Sequence, residues 1–400
     1  MRSRRIRFSA VALFIVGGLC AALVFEAGLK VIAATPLWRV LPVIEPILGQ
    51  PDPQTGYVFT PGISGIWTRE NRAPVQITDL GLRGPAGIAQ EKPPGTLRIA
   101  LLGDSVTEAL QVAYADTFGA LLQDRLNRGA SPKIEVVNLA MSGNGPLRQL
   151  IRLEQRGYSF NPDIVLSIPS PFDFLTGELR DDRVNPAYVP DGSGGWIRGY
   201  AFRNRFSVRQ ADTLLGRIFL RAVQQSDMAR LLYLRSRDPL QKLLGIEAAA
   251  RPVAPLSEPV DPCFTASLQQ LQRLWQGHEP IQDWQVTEKL LDELAVSRVG
   301  RPVKLVYALR ELPVPPASCA PQRALRATLI TTIEGALAVR QISFIDLESR
   351  LVISMGADSS ADLKVLRGFG LQTGQGHLNY EGHRRYAEVL HDALAELIRR

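Results

Sequence analysis

The stretch that decides the fold is Leu97-Arg-Ile-Ala-Leu-Leu-Gly-Asp-Ser-Val-Thr-Glu-Ala-Leu110. Its first six residues predict a short apolar strand, and Gly103-Asp104 predicts a sharp turn behind it. Ser105 then lies where the chain leaves the end of the strand. Because open α/β sheets bind their ligands at this carboxyl edge, Ser105 is a candidate functional residue. Ordinary turn chemistry also explains Gly-Asp-Ser, so the stretch alone leaves that alternative open.

A second segment near the end of the sequence changes the balance: Gly376-His-Leu-Asn-Tyr-Glu-Gly-His383. A serine hydroxyl becomes a good nucleophile when a base takes its proton, and histidine is the usual base. Together, the Gly-Asp-Ser turn and this His-x-Asn-x-x-Gly segment resemble the SGNH (GDSL-type) hydrolase family, in particular its membrane-anchored bacterial members with long inserts. The resemblance implies an ester hydrolase with Ser105 as nucleophile and His377 as base. The Gly-x-Ser-x-Gly elbow of α/β-hydrolases is missing around Ser105.

The resemblance also implies three donors for the oxyanion that forms during acyl transfer. They are the backbone amides of Ser105 and Gly143 and an asparagine side chain after the third strand. Here Phe172 stands at the position of that asparagine. Asn144 is a candidate replacement donor.

The position of the triad acid departs from the family pattern as well. The family carries an aspartate two or three residues before its histidine, where this chain has Gln375 and Gly374. Asp358 or Asp362 could act as a distant acid, and losing an ionised triad acid can cost about 10⁴ in turnover. The nucleophile and the base therefore match the family pattern, whereas the asparagine oxyanion donor and the triad aspartate do not.

Strand and helix patterns alternate from Leu97 onward, which predicts a parallel sheet flanked by helices. The strand candidates are Leu97–Leu102, Ile134–Leu139, Ile164–Ile168, Val303–Leu309 and Ile342–Leu347. Asp116 is the expected N-cap of a helix that runs to about Asn127, Pro146 is expected to begin another, and Asn379 is expected to cap the last. The fold class is thus α/β, with a parallel five-stranded sheet in flavodoxin-like layers, as the SGNH family has it.

The composition predicts four parts. Residues 1–26 form an N-terminal membrane anchor, 27–95 a β-rich appendage or linker, and 96–400 the SGNH-like α/β domain, in which 172–300 form a helical insert after the third strand. Tyr188–Ile197 predicts a hairpin, and helical patterns follow at about 208–236, 264–277 and 283–298. The insert leaves from a carboxyl end of a strand, so it is expected to be a cap over the site; a remote helical decoration is the alternative.

Most of the positive net charge of the chain lies in its first seven residues, directly before an apolar segment that could enter a membrane. Arg2, Arg4, Arg5 and Arg7 supply +4 of the formal net charge of +7, which leaves +3 (7 − 4) spread over the rest. That remainder predicts no nucleic-acid partner.

Residues 8–25 are apolar apart from Ser9 and would span about 27 Å as a helix, close to the thickness of a bilayer core. With basic residues before this segment, we expect a single-pass anchor in the cytoplasmic membrane and an extracytoplasmic (periplasmic) remainder. A cleaved signal peptide, with Val31-Ile32-Ala33 as the cleavage context, is the alternative.

Export also predicts a disulfide between Cys263 and Cys319, with two buried free thiols as the alternative. No cofactor or metal site is predicted, because the sequence has no paired His/Cys spacing and no phosphate-binding glycine loop. The other histidines are weaker candidates: His383 and His391 fall on the last helix as surface or packing residues, and His278 lies in the insert.

Two functions remain open from the sequence. The first is an extracytoplasmic serine esterase or O-acyltransferase. By resemblance, it would act on acyl esters, acetyl esters above all, of an exported polysaccharide and could work with polysaccharide-export machinery; lipid esters are a further substrate class. The second is a catalytically degraded domain that binds a glycan or an assembly partner. Phe172 and Gln375 favour the second function, and the intact Ser105 and His377 favour the first.

Overall fold

The structure is a computed structural model that describes residues 2–35, 46–85, 87–128, 132–171, 182–243 and 281–399. Its first element is a long helix, α1 (Arg2–Ala34), whose apolar side chains are mostly exposed, as at Leu13 and Phe14 (79% and 84%). Within the described residues, α1 is the one helix with a stretch, Ala12–Ile32, long and apolar enough to cross a membrane. The chain therefore has one candidate membrane span, next to a sheet-based fold.

Two small hairpins follow α1. In the first, β1 (Gly49–Asp52) pairs with β2 (Gly56–Phe59), and in the second β3 (Ser64–Trp67) pairs with β4 (Ala73–Gln76), both antiparallel. This confirms the β-rich character predicted for the segment before the main sheet. Their buried side chains form one small cluster with two residues from loops of the main sheet: Leu48, Phe59, Val75, Ile77, Leu110 and Met141. The hairpins consequently pack against the edge of the sheet from which those loops leave.

Five strands form the central parallel sheet, and a hairpin interrupts their sequence order. The strands in chain order are β5 (Thr96–Leu102), β6 (Lys133–Asn138) and β7 (Ile164–Ser167), then the hairpin of β8 (Ala187–Pro190) and β9 (Trp196–Gly199), then β10 (Lys304–Leu309) and β11 (Ile342–Asp346). The spatial order is β6-β5-β7-β10-β11, with every pair parallel. This is the flavodoxin-like order, and its switch point lies between β5 and β7.

Helices cover both faces of this sheet. In chain order the helices after α1 are α2 (Ser105–Glu108), α3 (Phe118–Leu126), α4 (Pro146–Gln155), α5 (Phe206–Gln210), α6 (Leu214–Gln225), α7 (Asp227–Leu243), α8 (Ile281–Ser297), α9 (Ala320–Ala338), α10 (Leu347–Ser354) and α11 (Tyr380–Arg399). Of these, α5, α6 and α7 belong to the insert and contribute no side chain to the buried clusters on the two faces of the sheet. Neighbouring residues of β5 face opposite sides, as the period of two requires. Ala100 packs with α4, α8 and α9, whereas Leu101 packs with α3, α10 and α11. The five predicted strands and the α/β layers are thereby confirmed.

The predicted helix ends are confirmed at two of three places. Pro146 is the first residue of α4, and the Asn379 Oδ1 accepts from the Gly382 N–H at the start of α11 (3.0 Å). The prediction for Asp116 was wrong by one residue. Thr117 is the N-cap of α3, since its hydroxyl accepts from the Ala120 N–H, while Asp116 lies in the preceding 3₁₀ turn.

The described part of the insert contains the predicted hairpin and the helices α6, α7 and α8. It packs beside the two N-terminal hairpins: Arg203 Nε donates to the Pro53 carbonyl (2.6 Å), and Gln224 Nε2 donates to Thr60 Oγ1 (2.8 Å). Phe172, Cys263, His278 and the helical pattern at 264–277 lie outside the described residues. The four-part division, the cap role of the insert and the Cys263–Cys319 bridge stay predictions.

Candidate active site

Ser105 lies at the switch point of the sheet because a tight turn follows β5 directly. A Cβ atom on Gly103 would come within 2.1 Å of the Thr107 hydroxyl, so the turn needs glycine there. Asp104 then caps the short helix α2 by accepting from the Val106 N–H (3.0 Å), and its other oxygen accepts from Arg310 (2.6 Å), which follows β10. The sequence analysis did not single out Asp104 or Arg310, which tie the serine turn to a neighbouring strand.

His377 reaches the same edge on a loop that precedes α11. The loop is held by the Gly368 N–H, which donates to the His377 carbonyl (2.9 Å), and by Arg367, which donates to the Gly376 carbonyl (3.0 Å). In this position His377 Nε2 lies 2.8 Å from Ser105 Oγ, across 272 residues of sequence. The nucleophile and base proposed from the sequence are thus within hydrogen-bonding distance.

The other side of the imidazole contacts a residue that the sequence analysis missed. Glu70, in the turn between β3 and β4, has Oε1 2.6 Å from His377 Nδ1 and accepts from the His377 backbone N–H through Oε2 (2.9 Å). A carboxylate only accepts, so Nδ1 carries the ring proton and Nε2 is left to accept from the Ser105 hydroxyl. Ser105, His377 and Glu70 therefore have the connectivity of a catalytic triad.

The acid candidates named from the sequence lie elsewhere. Asp358 accepts from the Ala317 N–H and pairs with Arg323, while Asp362 closes the capping box at Ser359. Each is used locally and does not reach His377. Nor is a hydrogen bond from Gln375 to the imidazole present in the part of the chain that the structure describes. Thus a carboxylate distant in the sequence contacts the imidazole, and it is Glu70 rather than Asp358 or Asp362.

The backbone at Glu70 is unusual in a way that suits this position. Glu70 has φ +68°, a region that non-glycine residues rarely adopt, and the Asn71 N–H donates to the Arg69 carbonyl across it (2.8 Å). Asn71 Nδ2 anchors the turn by donating to the Gln111 carbonyl (2.8 Å). Backbone strain of this kind persists where the surroundings hold it, and here it carries the carboxylate to the imidazole.

Gly376 leaves room for this carboxylate. A Cβ atom on Gly376 would lie 2.5 Å from Glu70 Oε2, and the residue has φ +78°, which favours glycine. The close approach of Glu70 to His377 therefore depends on a glycine immediately before the histidine.

Gly143 and Asn144 lie in the loop after β6, beside the serine turn. The Met141 N–H donates to the Gly103 carbonyl (3.2 Å), which fixes this loop against the turn, and Gly143 has φ +69°. Asn144 is 2% exposed, and both polar atoms of its side chain are buried without a partner in the described structure. Buried polar groups without partners are rare, so Asn144 has hydrogen-bonding capacity to spare.

A buried charged cluster lies beneath α2. Glu108 accepts from the Ser142 hydroxyl, Arg83 donates to the Ala109 and Val112 carbonyls (3.2 and 2.6 Å), and Arg152 lies close by. Burial raises the pKa of Glu108 to about 7, although Ser142 and the two arginines oppose the shift. Since Arg83 lies after β4 and Glu108 lies in α2, the cluster joins the hairpin segment to the serine helix.

His383, the second histidine of the Gly376–His383 segment, has structural surroundings. His383 is buried in α11, its Nδ1 accepts from the Phe118 N–H (3.2 Å), and burial lowers its pKa to about 3, with Arg83 and His377 contributing. It is a packing residue, as expected. Among the described residues, no group of three or more His, Cys, Asp or Glu side chains is placed to hold a metal ion.

Comparison with known proteins adds a likeness in fold. No family model and no curated protein matches the sequence. Solved structures similar to this chain include TesA (13% identity, TM-score 0.35, covering 75% of this chain and 99% of TesA). They also include the psychrotrophic esterase EstA from Pseudoalteromonas sp. (13%, 0.34, 76% and 99%) and a catalytic mutant of Axe2, an acetylxylan esterase from Geobacillus stearothermophilus (12%, 0.35, 74% and 92%). At these TM-scores, the function of the chain has to be argued from its own residues.

Proposed function

We propose that this protein is a serine ester hydrolase of the SGNH type in which Ser105 is the nucleophile, His377 the general base and Glu70 the triad acid. The observation that carries the proposal is the continuous contact from Ser105 Oγ to His377 Nε2 (2.8 Å) and from His377 Nδ1 to Glu70 (2.6 Å). Each of these residues comes from a different part of the chain, so the alignment requires the whole fold.

The reaction follows from the positions of the protons. Ser105 Oγ attacks the ester carbonyl carbon while His377 Nε2 takes the hydroxyl proton, and Glu70 stabilises the imidazolium that results. The tetrahedral intermediate expels the alcohol, which receives its proton from His377. Water then attacks the acyl-enzyme by the same steps in reverse and releases the acid. If a sugar hydroxyl takes the place of water, the same site transfers the acyl group.

Three donors are available for the oxyanion in this proposal. In the described structure, the backbone N–H groups of Ser105 and Gly143 have no protein acceptor, and the Asn144 carboxamide is unpartnered as well. Removing one oxyanion donor typically lowers turnover by about 10²–10³. We assign Asn144 the role of the asparagine that the family carries at the position of Phe172.

The alternative function, a degraded domain that only binds, was favoured by Phe172 and Gln375, and the argument from Gln375 no longer holds. It required that no acid support His377, since Gln375 and Gly374 occupy the family position. Glu70 supplies that acid from the hairpin segment. The geometry therefore favours catalysis over binding alone.

We place the site outside the cytoplasm. The side chains of α1 are mostly exposed within the chain, and an apolar helix of this length is stable in a bilayer rather than in water. The arginines that precede it favour a cytoplasmic N-terminus. An uncleaved α1 would hold the hydrolase at the outer surface of the cytoplasmic membrane.

For the substrate, we propose an acetylated exported polysaccharide. Tyr380 is 45% exposed beside the triad, where Asn71, the neighbour of Glu70, donates to its hydroxyl (3.4 Å), and Phe369 supports its ring edge-on. An aromatic side chain with an apolar ring and a polar tip suits the mixed surface of a sugar. The polysaccharide-export machinery would be the partner that brings such a chain to the membrane.

The test is covalent labelling and ester hydrolysis with the full-length protein. A serine-directed phosphonate is expected to label the wild type and not Ser105→Ala, and hydrolysis of a small acetyl ester is expected to disappear in the same variant. Tyr380→Ala is expected to raise KM for an acetylated oligosaccharide while leaving the small ester unaffected. Labelling or hydrolysis that persists in Ser105→Ala would contradict the proposed nucleophile.

A further inference from the structure

The insert carries an exposed apolar surface that the proposed catalysis does not use. It consists of four side chains on α6, which we call the α6 apolar face: Leu214 (67% exposed), Leu215 (78%), Ile218 (55%) and Phe219 (54%). At 100° per residue these positions lie within about 140° of one another on the helix. Val223, about 40° beyond Phe219 around the helix, is buried (3%). Helix α6 is therefore anchored by one side and leaves an apolar stripe uncovered.

Basic residues border this stripe. Arg217 and Arg221 are exposed. Viewed down the helix axis, they lie next to Leu214, at one edge of the α6 apolar face. Neither guanidinium group forms an ion pair or hydrogen bond with another described residue. An apolar stripe with unpaired basic residues at its edge is the pattern of helices that lie in the surface of an acidic membrane.

The end of α6 is tied to the membrane helix. Glu26 of α1, which directly follows the predicted apolar segment 8–25, accepts from the Ser226 hydroxyl (3.0 Å) and from the N–H groups of Asp227 and Met228 (both 2.9 Å). Leu29 of α1 is buried in the same region (8% exposed). If residues 8–25 cross the bilayer, the junction of α6 and α7 lies at its outer boundary. Because α6 is about 18 Å long, every residue of α6 then lies within about 18 Å of that boundary.

We infer that the α6 apolar face lies in the outer surface of the bilayer, with Arg217 and Arg221 on acidic lipid headgroups. The occupant is the lipid surface because the stripe is continuous, through Ser226 and Glu26, with the helix that enters the membrane. The protein would then touch its membrane at two places, the span of α1 and the face of α6. This inference rests on the proposed membrane span and is independent of the proposed catalysis.

The test uses full-length protein in vesicles of phosphatidylethanolamine and phosphatidylglycerol. A photoreactive benzophenone amino acid replaces Leu215, or Leu19 in α1, or Val339, which is 79% exposed at the end of α9. After irradiation, lipid adducts are measured by mass spectrometry. We expect adducts at positions 19 and 215, and a yield at 339 lower by about tenfold or more.

The outcomes distinguish a failure of the α6 lipid contact from a failure of the α1 membrane span. Adducts at 19 but only background yield at 215 would overturn the inference and leave the membrane span intact. Background yield at both would overturn the span itself. Adducts of 215 with a second copy of the protein would make α6 a self-association surface instead.

A charge variant tests the role of the two arginines. In protein labelled at 215, the pair Arg217→Gln and Arg221→Gln is expected to lower the adduct yield at least about threefold in phosphatidylglycerol vesicles and to leave it unchanged in phosphatidylcholine alone. An equal yield in acidic vesicles would overturn the electrostatic contact.

Discussion

The two oxygens of Glu70 have different tasks. Oε1 contacts the imidazole of His377, which keeps the ring in one tautomer and, in the proposed mechanism, stabilises its positive charge after proton transfer. Oε2 accepts from the backbone N–H of the same residue, so the carboxylate is fixed to the loop as well as to the ring. A single side chain thus sets both the proton position and the orientation of the base.

Glu70→Gln is expected to lower kcat for a small acetyl ester by about 10²–10⁴, because a neutral amide offers no full charge to the imidazolium. The melting temperature is expected to stay close to that of the wild type, and KM to change little. Steady-state kinetics and thermal unfolding measure these quantities.

Gln375→Asp, which restores the family aspartate, is the companion variant. We expect no gain in kcat from it, because Glu70 already accepts the hydrogen bond from Nδ1. A tenfold gain from Gln375→Asp, or full activity of Glu70→Gln, would contradict the assignment.

Gly376→Ala tests the space that Glu70 needs. The new methyl group would lie 2.5 Å from Glu70 Oε2 and displace the carboxylate, so we expect kcat to fall at least about tenfold. Gly374→Ala is a matched control: it has a comparable positive φ (+92°), but its methyl group would meet nothing closer than Lys364 at 3.7 Å. Both variants share the backbone strain, and only the first disturbs the triad. Equal losses of activity would show that strain alone is responsible.

At the scale of elements, the site is built by one sheet edge and one hairpin. Strand β5 delivers the serine, the loop before α11 delivers the histidine, and the turn between β3 and β4 delivers the acid. The cluster of Arg83 and Glu108 joins the segment after β4 to α2 inside the protein. In the proposed mechanism, the hairpin segment therefore contributes a catalytic group and is more than a spacer.

Glu108 makes the stability of this junction depend on pH. Burial raises its pKa to about 7, above that of an unfolded glutamate, so folding favours the protonated form. The resulting stabilisation is fully present below about pH 4.5 and is lost as pH rises through 7. Compared with Glu108→Gln, the wild type is expected to lose up to about 3 kcal/mol of unfolding free energy between pH 5 and pH 8. Urea unfolding at several pH values measures this difference. Parallel pH dependences of the two proteins would contradict it.

The strands could be predicted from the sequence, whereas the acid could not. Each strand of the sheet is a short apolar run, and burial on both faces imposes that pattern locally, so the predicted boundaries agree with β5 to within a residue. Ser105 and His377 follow from local motifs in the same way. Glu70 has no local motif: its role depends on how a separate hairpin packs against the sheet edge. The one signal in the sequence was indirect, namely the missing aspartate at 374–375, which required an acid from elsewhere.

The molecule as a whole is connected by contacts between parts far apart in the chain. Glu26 of α1 caps α7, Arg203 of the insert contacts Pro53, and Glu70 of the hairpins contacts His377. Each part that the composition suggested as separate is thus tied to another. Mutations in the insert or the hairpins are consequently expected to affect more than their own segment.

The predicted Cys263–Cys319 bridge would add a covalent tie at this scale. It closes a loop of 56 residues (319 − 263), which corresponds to about 4 kcal/mol of stabilisation in the chain-entropy model. Cys319 is buried (2% exposed), and Cys20 of α1 is a free thiol. Thiol titration of exported, denatured, unreduced protein is expected to find Cys20 alone. Two additional thiols would exclude the bridge.

The separation of Glu70 and His377 by 307 residues has a consequence in time. A ribosome makes Glu70 and Ser105 hundreds of residues before it makes His377. Until then no base stands beside the serine, and the growing polypeptide is chemically inert. In the proposed mechanism, hydrolysis therefore becomes possible only after His377 has been made, so a chain that is broken off before this residue has no activity to misplace.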